Sequence, residues 1–404
     1  MKLTFKEVFP EVFLSCPEAR RKRVEYSLQG LFTRCLTYMD NGLPFIITGD
    51  IPAMWLRDST WQAKPLFHSQ HPAIIDFLVN LSKTQVQLFL IDPYANAFNP
   101  KPNGNCWRKD FVDQSPWVFE RKFELDSWAS ILYLSRKIYE IYGVRDHLNQ
   151  EFIQAITQML QLARKEQHHD SSTYVFYRPD QSAHDSMSHE GKGAPTGYTG
   201  MVYSAFRPSD DACRYNYHIP SNLFFANELQ NLPIPSLQRE AEALASEILQ
   251  GIETFGLKDD IYAYEVDGLG NALFMDDANV PSLLSLPYLE VVDTDDTIYQ
   301  NTRAFILSEN NQYFFKGLIA NGIGSQHTPT QHVWPIAIAI EGLTSEDSSL
   351  QLSSLDMLES TDAKTGSMHE SFHVDDDAIF TREWFSWADM TYLDLVISAY
   401  ESTS

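Results

Sequence analysis

The chain has 404 residues and carries 54 Asp plus Glu against 30 Lys plus Arg, a formal net charge of −24. Such a charge is repelled by phosphate backbones and anionic headgroups, and the scattered Lys and Arg form no basic stripe, which argues against nucleic acid and membrane surfaces as partners. A hydrophobic content of 44% easily supplies a core, and the aromatic fraction of 13% provides flat apolar faces with polar edges that suit sugar rings, although most aromatics belong in a core.

From Met1 to Tyr26 the chain alternates charge with short apolar pieces and never reaches the run of about 7–15 apolar residues that marks a signal peptide. The first amphipathic stripe is Val24, Leu28, Leu31, Cys35 and Met39, at i, i+3 or i+4 spacing. A long loop over 40–58 then gathers Asp50, Trp55, Arg57 and Asp58. That group is either a pyranose seat or an Arg–Asp pair ahead of a helix capped by Asp58 or Ser59. A weaker helix over 59–70 and a strong stripe from Ile74 to Leu88 lead to a second long loop, 92–123. There Asp92, Tyr94, Asn96 and Asn99 either bind hydroxyls or shape ordinary Asp-Pro and Asn-Pro turns.

Stripes at Leu125 to Tyr142 and Phe152 to Ala163 precede the longest loop, 168–217, which holds His189, Glu190, Arg207, Asp210 and Asp211. An acid at its far end can serve as a general acid if its surroundings keep it protonated, or it simply caps the next helix. Helices over 218–231 and from Ala241 to Phe255 follow, then a loop over 256–278 whose Asp276 to Asn279 tail reads as the cap of a helix over 279–289. After a helix over 295–308, the loop 309–328 carries His327. Helices over 329–342 and 347–360 lead to the loop 361–383, with His369, Glu370, His373, Asp375 to Asp377 and Glu383. A stripe from Trp384 to Ala399 closes the series, and short strands are expected at Tyr174–Tyr177 and Tyr262–Val266.

About twelve helices result, and long loops alternate with short ones. If successive helices run antiparallel, as short links favour, every long loop emerges at one end, so the pattern fits an all-α, six-hairpin (α/α)6 barrel; an irregular helical domain is the competing reading. No composition shift or linker divides the chain, so residues 1–404 read as one domain. The longest apolar run, Val333 to Ile340, contains Pro335 and falls far short of the roughly 20 residues that span a bilayer. Cys16, Cys35, Cys106 and Cys213 form no C-x-x-C pair, which suits reduced thiols in a cytoplasmic enzyme. His369 to His373 match H-E-x-x-H formally, yet a zincin places that motif on a long helix and this segment reads as loop. No P-loop, G-x-S-x-G or dinucleotide fingerprint is present.

Taken together, GDIPAMWLRDSTWQ (49–62), IDPYANAFN (91–99), SHEGKGAPTGYTGMVYSAFRPSDDAC (188–213), FMDDANVPSLL (274–284), GIGSQHTP (322–329) and MHESFHVDDD (368–377) resemble glycoside hydrolase family 125, the metal-independent α-mannosidases. The resemblance implies an (α/α)6 barrel and an exo-acting α-1,6-mannosidase that inverts configuration, with no metal or cofactor and with a mannose-containing oligosaccharide as partner. By similarity Asp210 is the general acid and Glu370 the general base. Asp210 would then need a raised pKa, from burial or from Asp211 or Glu190, while Arg207 faces the sugar. Trp55, Arg57, Asp58, Asp92, Tyr94, Asn96, Glu190, Arg207 and His327 are the expected grip on the terminal mannose. The sequence departs from the family pattern at Ser371, where glycine is common, and at Tyr203, where Trp is common. Two other classes compete: a glycan-binding toroid without catalysis, and a zinc-dependent hydrolase built on His369 and His373. Oligomeric state has no sequence signal.

Overall fold

Helix starts are marked by residues that do not belong inside a helix. Pro72, Pro220, Pro235 and Pro335 each stand in a first turn, where the missing N–H has no intrahelical partner to lose. Asn149, Asp296 and Asp347 instead accept first-turn N–H groups through their side chains. Gly143, at φ 67°, closes the helix before it. A computed structural model describes residues 2–110, 112, 114–178 and 183–401, and among them are fourteen α-helices and many short strands.

The helices divide by burial. Leu56–Ala63, Leu125–Tyr142, Ile219–Gln230, Pro335–Leu343 and Ser386–Tyr400 are buried over most of their circumference. Glu18–Gly30, Pro72–Ile91, Gln150–Glu166, Pro235–Phe255, Thr297–Ile306 and Ser348–Ser360 bury fewer of their residues. Gln150–Glu166 shows why: Phe152, Ala155, Ile156, Met159, Leu160 and Ala163 form a single stripe. The inner helices touch one another in the series Ile219–Gln230, Leu125–Tyr142, Leu56–Ala63, Ser386–Tyr400 and Pro335–Leu343. Glu18–Gly30, Pro72–Ile91, Pro235–Phe255 and Ser348–Ser360 pack on them, and Gln150–Glu166 packs between Pro72–Ile91 and Pro235–Phe255, so the fold is mostly helical and layered. Pro72–Ile91 is long and apolar enough to cross a membrane by length and composition alone, but 61% of its most apolar window is buried within the fold.

One expected helix is absent. Over 279–289 the chain instead forms a run of turns that still buries Leu283, Leu284, Leu286 and Leu289. Pro281 and Pro287 have no N–H to give a helix. The N–H groups of Leu283 and Leu284 go to the Asp276 carboxylate at 2.8 and 2.9 Å, and Ser282 and Ser285 bond each other's backbone. The aspartate therefore caps this segment as the sequence suggests, but caps turns.

The strands also differ from expectation. Tyr174–Tyr177 is extended outside any ladder, with Phe176 N–H donating to Gly191. The Tyr262–Val266 stretch splits between two sheets, Ile261–Tyr262 with Leu257–Lys258 and Glu265–Val266 with Tyr217–His218 and Ala272–Leu273. Residues 361–383 are not plain loop: Ser371–His373 is the middle strand between His332–Val333 and Asp376–Thr381. A fourth small sheet joins Met54–Trp55, Ala97–Phe98 and Val118–Glu120.

Candidate active site

Two of the small sheets carry the polar chemistry. In the one with Met54–Trp55, Trp55 ends a strand and Arg57 and Asp58 fall in the first turn of Leu56–Ala63, so strand and helix together fix their directions. Neither Asp58 nor Ser59 is the N-cap; that position is Trp55. In the second, Glu370 immediately precedes the middle strand, with its N–H donating to the Thr381 carbonyl at 3.2 Å and the neighbouring Ser371 hydroxyl bonded to that of Thr381 at 2.8 Å.

Asp210 sits at the tip of a tight loop. Phe206 and Ala212 pair across its base, Arg207 N–H donates to the Asp211 carbonyl at 2.7 Å, and Pro208 fixes the turn between them. Asp210 itself has φ 65°, a left-handed conformation that aspartate tolerates better than most residues. Lys122 Nζ donates to its carbonyl at 2.7 Å and holds that conformation.

A pocket with about 480 Å³ of non-protein space, open to solvent, lies where these elements meet. Its walls include Trp55, Arg57, Asp58, Asp210, His327 and Glu370, together with Asp50, Asn279, Trp334, Arg382, Phe385 and Trp387. Asn96 stands just behind, donating to Asp210 Oδ1 at 3.2 Å. The loop-sequence reading therefore brings seven expected residues to one place.

Four others lie elsewhere, each for a visible reason. Asp92 accepts from Arg121 Nε at 2.6 Å and from the Tyr94 N–H, as a turn residue does. Tyr94 is buried against Tyr174 and donates to Glu166 at 2.6 Å. Glu190 is exposed, in a left-handed turn. Arg207 does not face the pocket: it is buried, and its Nε donates to the buried Glu265 at 2.5 Å, a carboxylate that needs a cation. Sequence reasoning in turn assigned no role to Arg382, Glu124 and Lys122, whose only signal is position beside a motif.

The electrostatics are unequal across the pocket. Arg57 touches four carboxyl groups: Asp58 at 3.2 Å, Glu124 at 2.7 Å, Asp126 at 3.5 Å and Asp210 at 3.4 Å. Burial would raise Asp210, but the Arg57 guanidinium, a hydrogen bond from Glu124, and the charges of Lys122 and His327 outweigh it and hold this carboxyl well below the usual range. That corrects the expectation of a raised Asp210. Burial pushes Glu124 the other way, well above the usual range, with Asp210 and Asp126 adding to the effect against Arg57.

On the opposite wall Arg382 Nε donates to Glu370 Oε1 at 3.1 Å, and its Nη1 pairs with the exposed Asp50. His327, a third of its side chain exposed, lies 3.3 Å from Asp211. Burial opposes its charge, but the hydrogen bond and charge of Asp211, with Glu370 and Asp210 beyond, raise it to about 9. The pocket thus presents an imidazolium and two guanidinium groups to carboxylates.

The H-E-S-F-H segment forms no helix: its last three residues are strand, and the buried His369 ahead of them has its ring nitrogens within 3.1–3.2 Å of the Arg382 and Asp362 carbonyls. Among the described residues no group of three His, Cys, Asp or Glu is arranged to hold a metal ion.

Comparison with known proteins meets this geometry. The family model described as metal-independent alpha-mannosidase, glycoside hydrolase family 125, matches residues 16–397. The chain is 38% identical over 395 residues to the Meiotically up-regulated gene 157 protein of Schizosaccharomyces pombe, covering 89% of this chain and 77% of that one. It is 40% identical, with a TM-score of 0.91, to a Streptococcus pneumoniae structure from the metal-independent alpha mannosidases described as a non-productive substrate complex with alpha-1,6-mannobiose; 97% of this chain and 95% of that chain are covered. A bacterial glucoamylase complexed with acarbose shares the fold alone, at 12% identity and a TM-score of 0.54 over 86% of this chain and 49% of that one.

Proposed function

Because the chain belongs to glycoside hydrolase family 125, the metal-independent α-mannosidases, we propose that it is an exo-acting, inverting α-1,6-mannosidase that removes the non-reducing terminal mannose of manno-oligosaccharides such as N-glycan fragments. The observation that carries this reading is the convergence of Asp210 and Glu370, from separate loops, on one pocket. The α-1,6-mannobiose complex of the pneumococcal neighbour supports the linkage.

Asp210 protonates the leaving glycosidic oxygen. Glu370 takes a proton from a water on the opposite face of the sugar, and inversion asks for carboxyl groups about 6.5–9.5 Å apart so that the water fits. Arg382 fixes the orientation of Glu370 through its hydrogen bond. Arg57, Asp58, His327 and the Trp55 indole, whose Nε1 has no hydrogen-bond partner, grip the hydroxyls of the terminal sugar. The two carboxyl groups carry both proton transfers, so the reaction needs no cofactor.

In the same reading the helices form an (α/α)6 barrel, one catalytic domain, in which the turns over 279–291 stand in for one inner helix. The four free cysteines support a cytoplasmic setting.

Asp210→Asn and Glu370→Gln are each expected to cut turnover of α-1,6-mannobiose by about 10²–10⁴-fold, the share general acid–base groups supply, with melting temperature preserved. NMR of the first-formed sugar should show β-mannose. Near-normal hydrolysis by either variant, or initial α-mannose, overturns the reading. A panel of α-1,2-, α-1,3- and α-1,6-mannosides tests the linkage separately.

A further inference from the structure

Behind Asp210 stands a carboxyl group that the mechanism above leaves unused. Glu124 is 1% exposed and does not line the pocket. It occupies the N-cap of Leu125–Tyr142 but makes no side-chain cap, and its carboxyl points to the active site instead. Glu124 and Asp210 hang from the same two donors: Arg57 gives Nη1 to Glu124 and Nη2 to Asp210, while Asn96 Nδ2 reaches Glu124 at 3.1 Å and Asp210 at 3.2 Å. Ser127 also donates to Glu124, at 3.2 Å.

A count of charges decides what the pair must hold. One buried guanidinium faces Asp58, Glu124, Asp126 and Asp210, and four buried carboxylates cannot all ionise around one cation. The nearby Lys122 is already shared among Glu120, Asp185 and the Asp210 carbonyl, and His327 belongs to Asp211. A proton therefore stays in the cluster, and because Asp210 has Lys122 at its carbonyl besides Arg57 whereas the one cation paired with Glu124 among the described residues is Arg57, it settles on Glu124.

We propose that Glu124 is the proton store of Asp210, holding the proton that Asp210 hands to the leaving oxygen. It is a positioning residue that acts through Asp210, and the proposal rests on Asp210 being the general acid. As the sugar binds, the Glu124 O–H bond breaks and an O–H forms on Asp210. That bond then breaks as the glycosidic oxygen gains the proton and its bond to the sugar C1 opens. The attacking water forms the new bond to C1 from the opposite face and gives its proton to Glu370, which releases it to solvent, and the Glu124–Asp210 pair regains one from solvent after the products leave.

Glu124→Gln keeps the shape and the hydrogen bond from Arg57, gives up the one from Asn96 because an amide has a single acceptor oxygen, and has no acidic proton, so it is the informative variant. With the second carboxyl gone, the basic limb of kcat/KM for α-1,6-mannobiose is expected to move about one unit or more toward acid. At neutral pH the rate on mannobiose should fall about tenfold or more, while hydrolysis of 2,4-dinitrophenyl α-mannoside, whose leaving group needs no proton, stays near wild type. Glu124→Asp, which keeps an acidic proton, should restore the limb. An unmoved limb, or equal losses on both substrates, overturns the proposal.

Asp210→Asn separates the two claims. If it shows no greater loss on mannobiose than on the aryl mannoside, the assignment of Asp210 fails; if it does and Glu124→Gln does not, only the role of Glu124 fails. Should Glu124→Gln not fold, the wild-type enzyme carries the test: a basic limb on mannobiose well above the pH at which an ordinary aspartate ionises is expected, and one near about pH 4 overturns it.

Discussion

Arg382 is the cation that touches Glu370 directly, through Nε at 3.1 Å, while its other end pairs with Asp50, 67% of whose side chain is exposed. The two contacts differ in worth. The exposed pair is screened by water and contributes little, whereas the bond to Glu370 sets where the base points. Arg382→Met is therefore expected to lower kcat on mannobiose by about 10- to 100-fold, part of what general base catalysis supplies, with KM much less changed. Asp50→Asn should leave kcat within about twofold. Steady-state kinetics on both variants checks the contrast, and a large loss in the Asp50 variant with none in the Arg382 variant reverses it. At this scale the sequence yields residue type and motif but not partner. Trp55, Arg57, Asp58 and His327 reach the pocket, whereas Tyr94 and Arg207 are claimed by Glu166 and Glu265, buried carboxylates far off in sequence. Nothing in a local motif reveals that competition.

Elements were legible where periodicity is strong and illegible where side chains replace backbone partners. The stripe from Phe152 to Ala163 predicts its helix because one face is apolar throughout. The apolar run after Val280 carries the same signal, but Pro281, Pro287 and the Asp276 carboxylate take away the bonds a helix needs. The strand Ser371–His373 was hidden for the opposite reason, since three aspartates in a row read as solvated loop although Asp376 and Asp377 begin its partner strand. Asp276 should accordingly be indispensable to its segment. Asp276→Ala leaves the buried N–H groups of Leu283 and Leu284 without acceptors, at a cost of about 1–3 kcal/mol for each orphaned group. Chemical denaturation should show a lower midpoint with an unchanged slope, and an unaltered midpoint would mean that the leucines find other acceptors.

For the whole molecule, the alternation of long and short loops gave a layered helical arrangement, because neighbouring antiparallel helices obey simple geometry; the charge of −24 gave only exclusions. The structure shows what that acidity does to stability. Burial raises Asp276 to about 8, against hydrogen bonds from Leu283 and Leu284, and Asp389 to about 7, against one from Met368 and the charge of Arg34. His327 is raised to about 9 by Asp211, despite its burial. Each of these groups binds its proton more tightly folded than unfolded, so its stabilising contribution is complete below the unfolded pKa and is lost as pH rises through the folded one. His147 and His218, lowered by burial, act the other way only up to about pH 6.5. Asp394, held low by Lys64 and His68 against its burial, acts only in acid. Between about pH 7 and pH 9 the contributions therefore share one sign, and the melting temperature should fall. Each proton supplies a slope of at most about 1.4 kcal/mol per pH unit, so Asp276→Asn should flatten the decline below pH 8 by up to that amount. Added salt should restore more stability at pH 9 than at pH 7, because it screens a net negative charge that has grown. Melting curves of wild type and variant across that range decide the matter: a constant gap between them would show that Asp276 does not titrate there.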